Sequence, residues 1–226
     1  MTHPLNAHRS VLIQVLSMPR VPAEQAEQTR RDILAGALTV FAARGYAATR
    51  IADVAAELGM TRGAVYGHFP SKAELFLEVV RLSQDPIYTL LDQANAEAED
   101  PEAGGPLRVL VRGWLVLLCD NPCHRAAFEL VMNKTAFVDE LAVLYRREKK
   151  LTGDVIAALT RWLDDQGVDD ADFAATHLYT HLMGITQSWL FNPRLFSLNQ
   201  SLDALTDHVL RGAGVRSAAP RALAPF

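Results

Sequence analysis

The sequence predicts an all-α protein, with three short helices in an N-terminal head followed by a bundle of longer helices. From Gln28 onward, apolar residues recur at steps of three and four, which is the period of an amphipathic helix. Alternating runs of Val, Ile and Thr, which would indicate strands, are scarce. Glycine, proline and asparagine interrupt the pattern where helices would end. A chain of 226 residues can bury a sizeable core in one or two domains.

The first helix of the head follows a segment without helical periodicity. Residues 1–25 hold three prolines and no sustained apolar pattern, so we expect a flexible N-terminal arm there. The helix that follows has an apolar stripe from Ile33 to Phe41. Gly45 is placed to end it, because glycine readily adopts the left-handed conformation found just past a helix.

Two very short helices and the start of a long one follow. Thr49 is predicted to cap the second helix, which ends at Gly59, and Thr61 is predicted to cap the third. Ser71 is predicted to cap the fourth helix, and Glu74, three residues later, to complete a capping box. Residues 26–72 would thus form the head domain.

The remainder of the chain is predicted to be a helical bundle over residues 73–212. After the long fourth helix and a loop at 97–106, five helices are expected, at residues 107–119, 123–134, 137–164, 170–190 and 201–211. Residues 213–226 are expected to be a flexible tail.

The charges are unevenly distributed along the chain, although the formal net charge is only −4. Residues 1–75 carry 8 Lys or Arg and 6 Asp or Glu, a balance of +2, whereas residues 76–226 carry 14 and 20, a balance of −6. A mildly basic head on an acidic body suits local contact with phosphate groups.

The cellular compartment can be inferred from the cysteines and the apolar runs. The two cysteines exclude a disulfide framework and fit a reducing compartment. The apolar run from Val11 to Leu16 is too short for a secretory signal, and no run approaches the ~18 apolar residues of a spanning helix. We therefore expect a cytoplasmic protein without a membrane partner.

The turn between the second and third helices has the spacing of a helix-turn-helix. Leu58-Gly59-Met60-Thr61 is a short glycine-containing link, which lets the two helices cross steeply. The second helix of such a pair enters the major groove of DNA by its N-terminal end. The residues predicted to contact DNA lie around this turn and at the neighbouring helix starts: Thr49, Arg50, Thr61, Arg62, Gly63, Ala64, Tyr66, His68 and Lys72.

This stretch closely resembles the N-terminal domain of TetR-family transcriptional regulators. The residues that carry the resemblance are Arg31-Asp32-Ile33-Leu34, Ala37, Phe41, Gly45-Tyr46, Thr49, Ile51, Val54-Ala55, Gly59, Thr61 through Tyr66, His68-Phe69, Lys72 and Leu75-Phe76. Gly67 departs from the pattern, since a bulky residue is common between the Tyr and the His. A contact usually available there is therefore missing.

The bundle resembles the AcrR-like branch of multidrug-efflux repressors in that family. The matching residues are Glu129-Leu130, Asn133-Lys134, Phe137 through Glu140, Gly184, Trp189-Leu190-Phe191, Pro193 and Phe196. The resemblance implies a homodimer formed through the last two helices and a hydrophobic effector bound between the middle helices. Helix 170–190 independently suggests a partner, because it is apolar on more than one face. A central helix buried within one bundle would show the same pattern.

Two polar residues on otherwise apolar helix stripes suggest a ligand pocket. Glu148 interrupts the stripe that contains Leu144 and Leu151, and Gln84 lies between Val80 and Ile87. The predicted pocket residues are Val80, Gln84, Ile87, Trp114, Phe128, Met132 and Glu148, and such a pocket would suit bulky amphipathic compounds, including cations. Alternatively, Glu148 pairs with a neighbouring Arg or Lys, or faces solvent.

Three other clusters favour ordinary structural roles. His177 and His181 have the spacing of two metal ligands, but no third ligand is identifiable, so packing or dimer contact is preferred. Cys119 and Cys123, with the adjacent His124, are expected to be small buried thiols rather than a switch. The basic run from Arg146 to Lys150 is expected to be a solvated helix face. No metal or cofactor is predicted.

Together these features predict a dimeric repressor that binds a palindromic operator in double-stranded DNA and is released by a hydrophobic small molecule. The resemblance points to control of a multidrug efflux operon. A regulator of a metabolic or stress gene, and a ligand-binding bundle without DNA function, are the alternatives. An enzyme is not expected, because no catalytic motif is present and no catalytic residue is assigned.

Overall fold

The computed structural model describes residues 23–97, 105–134 and 139–215, and the helix order is the one predicted from the sequence. Over this part of the chain nine α-helices and no strand are found. They are α1 Ala23–Ala48, α2 Ile51–Glu57, α3 Arg62–His68, α4 Lys72–Glu97, α5 Gly105–Asp120, α6 Pro122–Lys134, α7 Ala142–Asp165, α8 Ala171–Phe191 and α9 Leu198–Gly212.

Most differences from the prediction are at helix ends. Helix α1 begins at Ala23, so residues 23–25, expected in the arm, are helical; the rest of the arm lies outside the described residues. Helix α7 begins at Ala142 after a 3-10 turn at Asp139–Leu141, whereas residues 135–138, expected at its start, lie outside the described part. Of the loop expected at 97–106, residue 97 ends α4 and residues 105 and 106 begin α5, so the expectation is wrong there. Residues 98–104 and most of the expected tail, 216–226, lie outside the described part.

The head is organised around a kink at the end of α1. Gly45 has φ 73° and ψ 170°, so the chain bends at the residue that the sequence marks as the helix end. This bend brings Tyr46 against Phe41 and Phe76, whose ring centroids lie 4.8 to 6.2 Å apart. The three rings anchor α1 to the beginning of α4.

The two apolar cores of the molecule do not divide at the predicted boundary between residues 72 and 73. The head core includes α4 as far as Val80, Ala127 and Leu130 of α6, and Leu144 of α7. The bundle core begins on α4 at Ile87, one residue after the internal Pro86. Helix α4 therefore belongs to both cores, because its apolar residues are covered by different partners along its length.

None of the helices in the described part of the chain is both long enough and apolar enough to cross a membrane.

Candidate DNA-reading surface and ligand cavity

Helix α3 presents the predicted DNA-contact residues on its open side. Its cap is the predicted one, since the Thr61 hydroxyl accepts a 3.2 Å hydrogen bond from the backbone N–H of Ala64. Gly59 has φ +63°, which is the conformation that the turn requires. Val65 is fully buried and fixes the helix to the head core. Residues 61–64 and Tyr66 are exposed, so a DNA duplex could contact them.

Thr49 does not cap α2 as predicted, and it is buried. Its side chain is only 1% exposed, and its hydroxyl donates a 2.8 Å hydrogen bond to the Gly45 carbonyl. The residue that caps α2 is Arg50, whose backbone N–H donates to the Asp53 carboxylate at 2.8 Å. The prediction that Thr49 caps α2 is wrong, because the kink at Gly45 leaves a carbonyl that the hydroxyl binds instead. Arg50 is exposed beside it.

Lys72 and His68 lie at the junction between α3 and α4. The Lys72 ammonium donates a 3.1 Å hydrogen bond to the Tyr46 carbonyl and lies 4.0 Å from the centre of the Tyr46 ring. The side chains of Lys72 and His68 are partly exposed. Lys72 thus fixes the start of α4 to the kink of α1.

Arg30 is a positioning residue that the sequence did not reveal. Its guanidinium donates to the His68 carbonyl at 3.3 Å and to the Glu78 carboxylate at 2.9 Å. It also lies 4.3 Å from the centre of the Phe69 ring. Arg30 therefore binds the C-terminal end of α3 to α1 and α4. It precedes the apolar stripe of α1, so periodicity gave no signal for it.

A cavity of about 260 Å³ lies inside the bundle, between α4, α5, α6, α7 and α8. Six of the seven predicted pocket residues line it: Gln84, Ile87, Trp114, Phe128, Met132 and Glu148. Val80 does not; it is 1% exposed and packs in the head core. Lining residues that the prediction lacked are Ser83, Val131, Leu151, Thr152, Val155, Tyr179 and Met183. The paired apolar stripes of α8 were the available signal for Tyr179 and Met183.

Most polar side chains of the cavity wall make hydrogen bonds within the protein. The Gln84 amide donates to the Glu148 carboxylate at 2.6 Å, and the Trp114 indole donates to the Thr186 hydroxyl at 3.0 Å. The Thr152 and Tyr179 hydroxyls lie 3.1 Å apart. Burial raises the pKa of Glu148, and the hydrogen bond from Gln84 opposes this shift. Among the ion pairs of the described residues, none involves Glu148.

Aromatic rings surround the remaining space. The Trp114 ring centre lies 6.2 Å from that of Phe128 and 6.3 Å from that of Tyr179, both edge-on. Rings and a carboxylate around one cavity are the groups that bind organic cations, by cation–π and charge attraction.

The histidine and cysteine clusters do not form a metal site. The ring centres of His177 and His181 are 6.1 Å apart, and His208 of α9 lies 6.0 Å from His181. Within the described ranges, no group of three or more His, Cys, Asp or Glu side chains could hold a metal ion.

Cys119 is half-buried but Cys123 is exposed, so the expectation of two buried thiols is wrong for Cys123. The basic residues of 146–150 are exposed, as predicted.

One face of α8 is open and includes apolar and small residues. Phe173 is 69% exposed and Phe191 is 92% exposed, and between them Gly184 carries no side chain. A Cβ added at Gly184 would meet no atom within 4 Å. Exposed apolar side chains on one helix face are typical of protein–protein contact.

Two family models match the chain, one over the head and the start of α4 and one over most of the bundle. The model of bacterial regulatory proteins of the tetR family matches residues 33–79. The model of the C-terminal region of MAATS-type transcriptional repressors matches residues 106–213.

Similar proteins extend over nearly the same length. The HTH-type transcriptional regulator AcrR of Shigella flexneri is 31% identical, over 81% of this chain and 88% of its own. The regulator TtgR of Pseudomonas putida is 29% identical, over 84% and 90%. The crystal structure of NalD, the secondary repressor of the MexAB-OprM multidrug efflux pump in Pseudomonas aeruginosa, has a TM-score of 0.72 at 27% identity, and covers 84% of this chain and 97% of its own.

Proposed function

The chain belongs to the TetR family of bacterial regulatory proteins, and from this premise we propose that it is a dimeric repressor released from DNA by an amphipathic organic cation. The observation that carries the proposal is the Gln84–Glu148 pair in an aromatic-lined cavity, reached by the same helix that begins beside α3. NalD, with the same fold, represses a multidrug efflux pump, which supports efflux genes as the regulated target.

The DNA contact would be made by the exposed side of α3. Arg62 can donate to guanine edges or phosphates, and Tyr66, 50% exposed, can contact the DNA backbone. Ala64 and Gly63 are small enough to allow close approach of the helix backbone to bases. Arg50 adds a charge at the start of α2.

The effector would occupy the cavity between α4 and α8. A quaternary ammonium group would lie near the Glu148 carboxylate, and its apolar substituents would lie against Trp114, Phe128 and Tyr179. Benzyltrimethylammonium is a suitable test compound because it joins one aromatic ring to one quaternary nitrogen. Neopentylbenzene has the same shape without the charge.

The dimer would form through the open faces of α8 and α9. Phe173, Gly184 and Phe191 share one face of α8, and His208 of α9 lies beside His181 on the same side. A twofold axis here would pair the two α3 helices so that they could enter successive major grooves, ~34 Å apart.

Release would follow from a difference in affinity between two conformations. An effector shifts DNA affinity only as far as it binds one conformation better than the other. Helix α4 begins at Lys72, which bonds to the head, and reaches Gln84 in the cavity wall. A change at Gln84 can therefore alter the orientation of α3.

The proposal is tested with DNA from upstream of the protein's own gene. We expect tight, salt-dependent binding to a palindromic segment, weaker by at least about a thousandfold on unrelated DNA. Specific binding without release by any cation would favour a regulator of a metabolic or stress gene. If the protein does not bind this DNA specifically at low salt, the remaining alternative is a ligand-binding helical bundle without DNA function.

A further inference from the structure

The cavity reaches the solvent beside Met132, near the end of α6. Among the described residues that line the cavity, Met132 alone is exposed, at 45%, and the others are buried or half-buried. A side chain that borders both the cavity and the solvent marks the mouth of the cavity.

This mouth lies between α6 and α8, which do not pack closely against each other in the described part of the chain. Helix α4, by contrast, packs closely along both α5 and α6. Side chains bridge the gap between α6 and α8 instead. The Arg125 guanidinium lies 5.8 Å from the centre of the Trp189 ring. The Gln187 side-chain amide donates a 2.8 Å hydrogen bond to the Asn133 side-chain oxygen.

The hydrogen bond between Asn133 and Gln187 lies at the edge of the mouth. Asn133 follows Met132 in the chain, and Gln187 lies one helical turn after Met183, which lines the cavity. An exposed hydrogen bond of this kind contributes little net stability, so it can open and close readily.

Met132 itself can move at low energetic cost. A methionine side chain is unbranched and flexible, and exposed side chains change rotamer within picoseconds to nanoseconds. Met132 also lies in the final turn of α6, which ends at Lys134, and the last carbonyls of a helix have no partner within it. The wall of the cavity can therefore move at the mouth without a rearrangement of the bundle.

We propose that the effector enters and leaves the cavity between the end of α6 and α8, and that Met132 and the Asn133–Gln187 hydrogen bond set the rate of its passage. The inference rests on the proposed function, because it presumes that the cavity binds the effector. A barrier at the mouth is crossed in both directions, so its removal speeds association and dissociation by the same factor. A contact inside the cavity stabilises only the bound state, so its loss speeds dissociation alone.

The rates are measured with benzyltrimethylammonium on the full-length protein. Nuclear magnetic resonance exchange of its methyl signal gives the dissociation rate constant, isothermal titration gives Kd, and their ratio gives the association rate constant. Met183→Ala is the matched control for Met132→Ala, because both methionines line the cavity but Met183 is half-buried in its wall.

We expect association to be about tenfold faster for Met132→Ala and about tenfold slower for Met132→Trp, since the larger ring would narrow the mouth. Asn133→Ala should speed association and dissociation equally, by about threefold or more, and leave Kd within about twofold of the wild type. Met183→Ala should raise the dissociation rate constant and Kd together, with association within about twofold of the wild type.

Association rate constants within about twofold of the wild type for both Met132 variants would overturn the inference. Equal acceleration of association by Met132→Ala and Met183→Ala would also overturn it, because a general loosening of the bundle would then explain both. A wild type that does not bind the cation would instead overturn the proposed function. The two failures are therefore distinguishable in one set of measurements.

Discussion

The side-chain amide of Gln84 donates a 2.6 Å hydrogen bond to the carboxylate of Glu148 across the wall of the cavity. This bond joins α4 to α7 and connects the helix that enters the DNA-binding head with Glu148, the one carboxylate that lines the cavity among the residues the structure describes. A ligand that binds the Glu148 carboxylate in place of Gln84 would break this hydrogen bond. Helix α4 would then no longer be held to α7 at Gln84.

Replacing Glu148 with Gln should weaken the binding of benzyltrimethylammonium by about tenfold or more, because the charge that attracts the cation is lost. Binding of neopentylbenzene should change by less than about threefold. Isothermal titration of both compounds against both proteins measures this. Equal losses for the cation and its neutral counterpart would remove Glu148 from the recognition of charge.

The affinity for the cation should fall as the pH is lowered. Burial raises the pKa of Glu148, so the carboxyl takes up its proton at a higher pH than an exposed glutamate does. The protonated form is neutral and does not attract a cation, so affinity is full above the raised pKa and declines through it. Glu148→Gln should show no such decline. A flat profile in the wild type would contradict the raised pKa.

Arg62 and Arg30 should affect operator binding in different ways. Arg62→Ala should weaken binding and reduce the slope of log affinity against log salt by about one, if it contacts a phosphate. Arg30→Met should weaken binding with an unchanged slope, because Arg30 bonds to His68 and Glu78 within the protein. Fluorescence anisotropy across a salt series measures both. A reduced slope for Arg30→Met would mean that it contacts DNA itself.

The dimer surface can be tested with a matched pair of glycine substitutions. Gly184 on α8 and Gly153 on α7 are both exposed, and an added Cβ would meet no atom within 4 Å at either. Gly184→Arg should yield a monomer, because the side chain would enter the partner's surface, whereas Gly153→Arg should remain a dimer. Sedimentation velocity distinguishes them. A dimeric Gly184→Arg protein would place the interface elsewhere.

Two glycines of the head should respond oppositely to alanine. Gly67→Ala should raise the free energy of unfolding by up to about 1 kcal/mol, since nothing crowds the site and alanine favours helix. Gly59→Ala should lower it by about 1 kcal/mol, because φ is +63° there. Urea unfolding followed by circular dichroism measures both. Stabilisation by Gly59→Ala would contradict the strained turn.

The sequence predicted the structure best where the apolar face of a single helix determines a residue's position. The periodicity placed all nine helices in order within the described ranges, and polar interruptions of apolar stripes located Gln84 and Glu148. Contacts between distant segments left no periodic signal. Arg30 bonds across 38 and 48 positions, and Val80 is covered by the head rather than by the cavity because α4 passes between two cores. Thr49 is buried and does not cap α2, because α1 is kinked at Gly45. The apolar periodicity of the sequence does not describe the backbone geometry of such a kink.

The most direct test of the central claim is the linkage between operator and effector. The dissociation constant for the upstream DNA is measured with and without saturating benzyltrimethylammonium, and that for the cation with and without DNA. The proposed function predicts that each ligand weakens the other by the same factor, on the order of 5- to 150-fold. Two constants that are unaffected by the other ligand would contradict it.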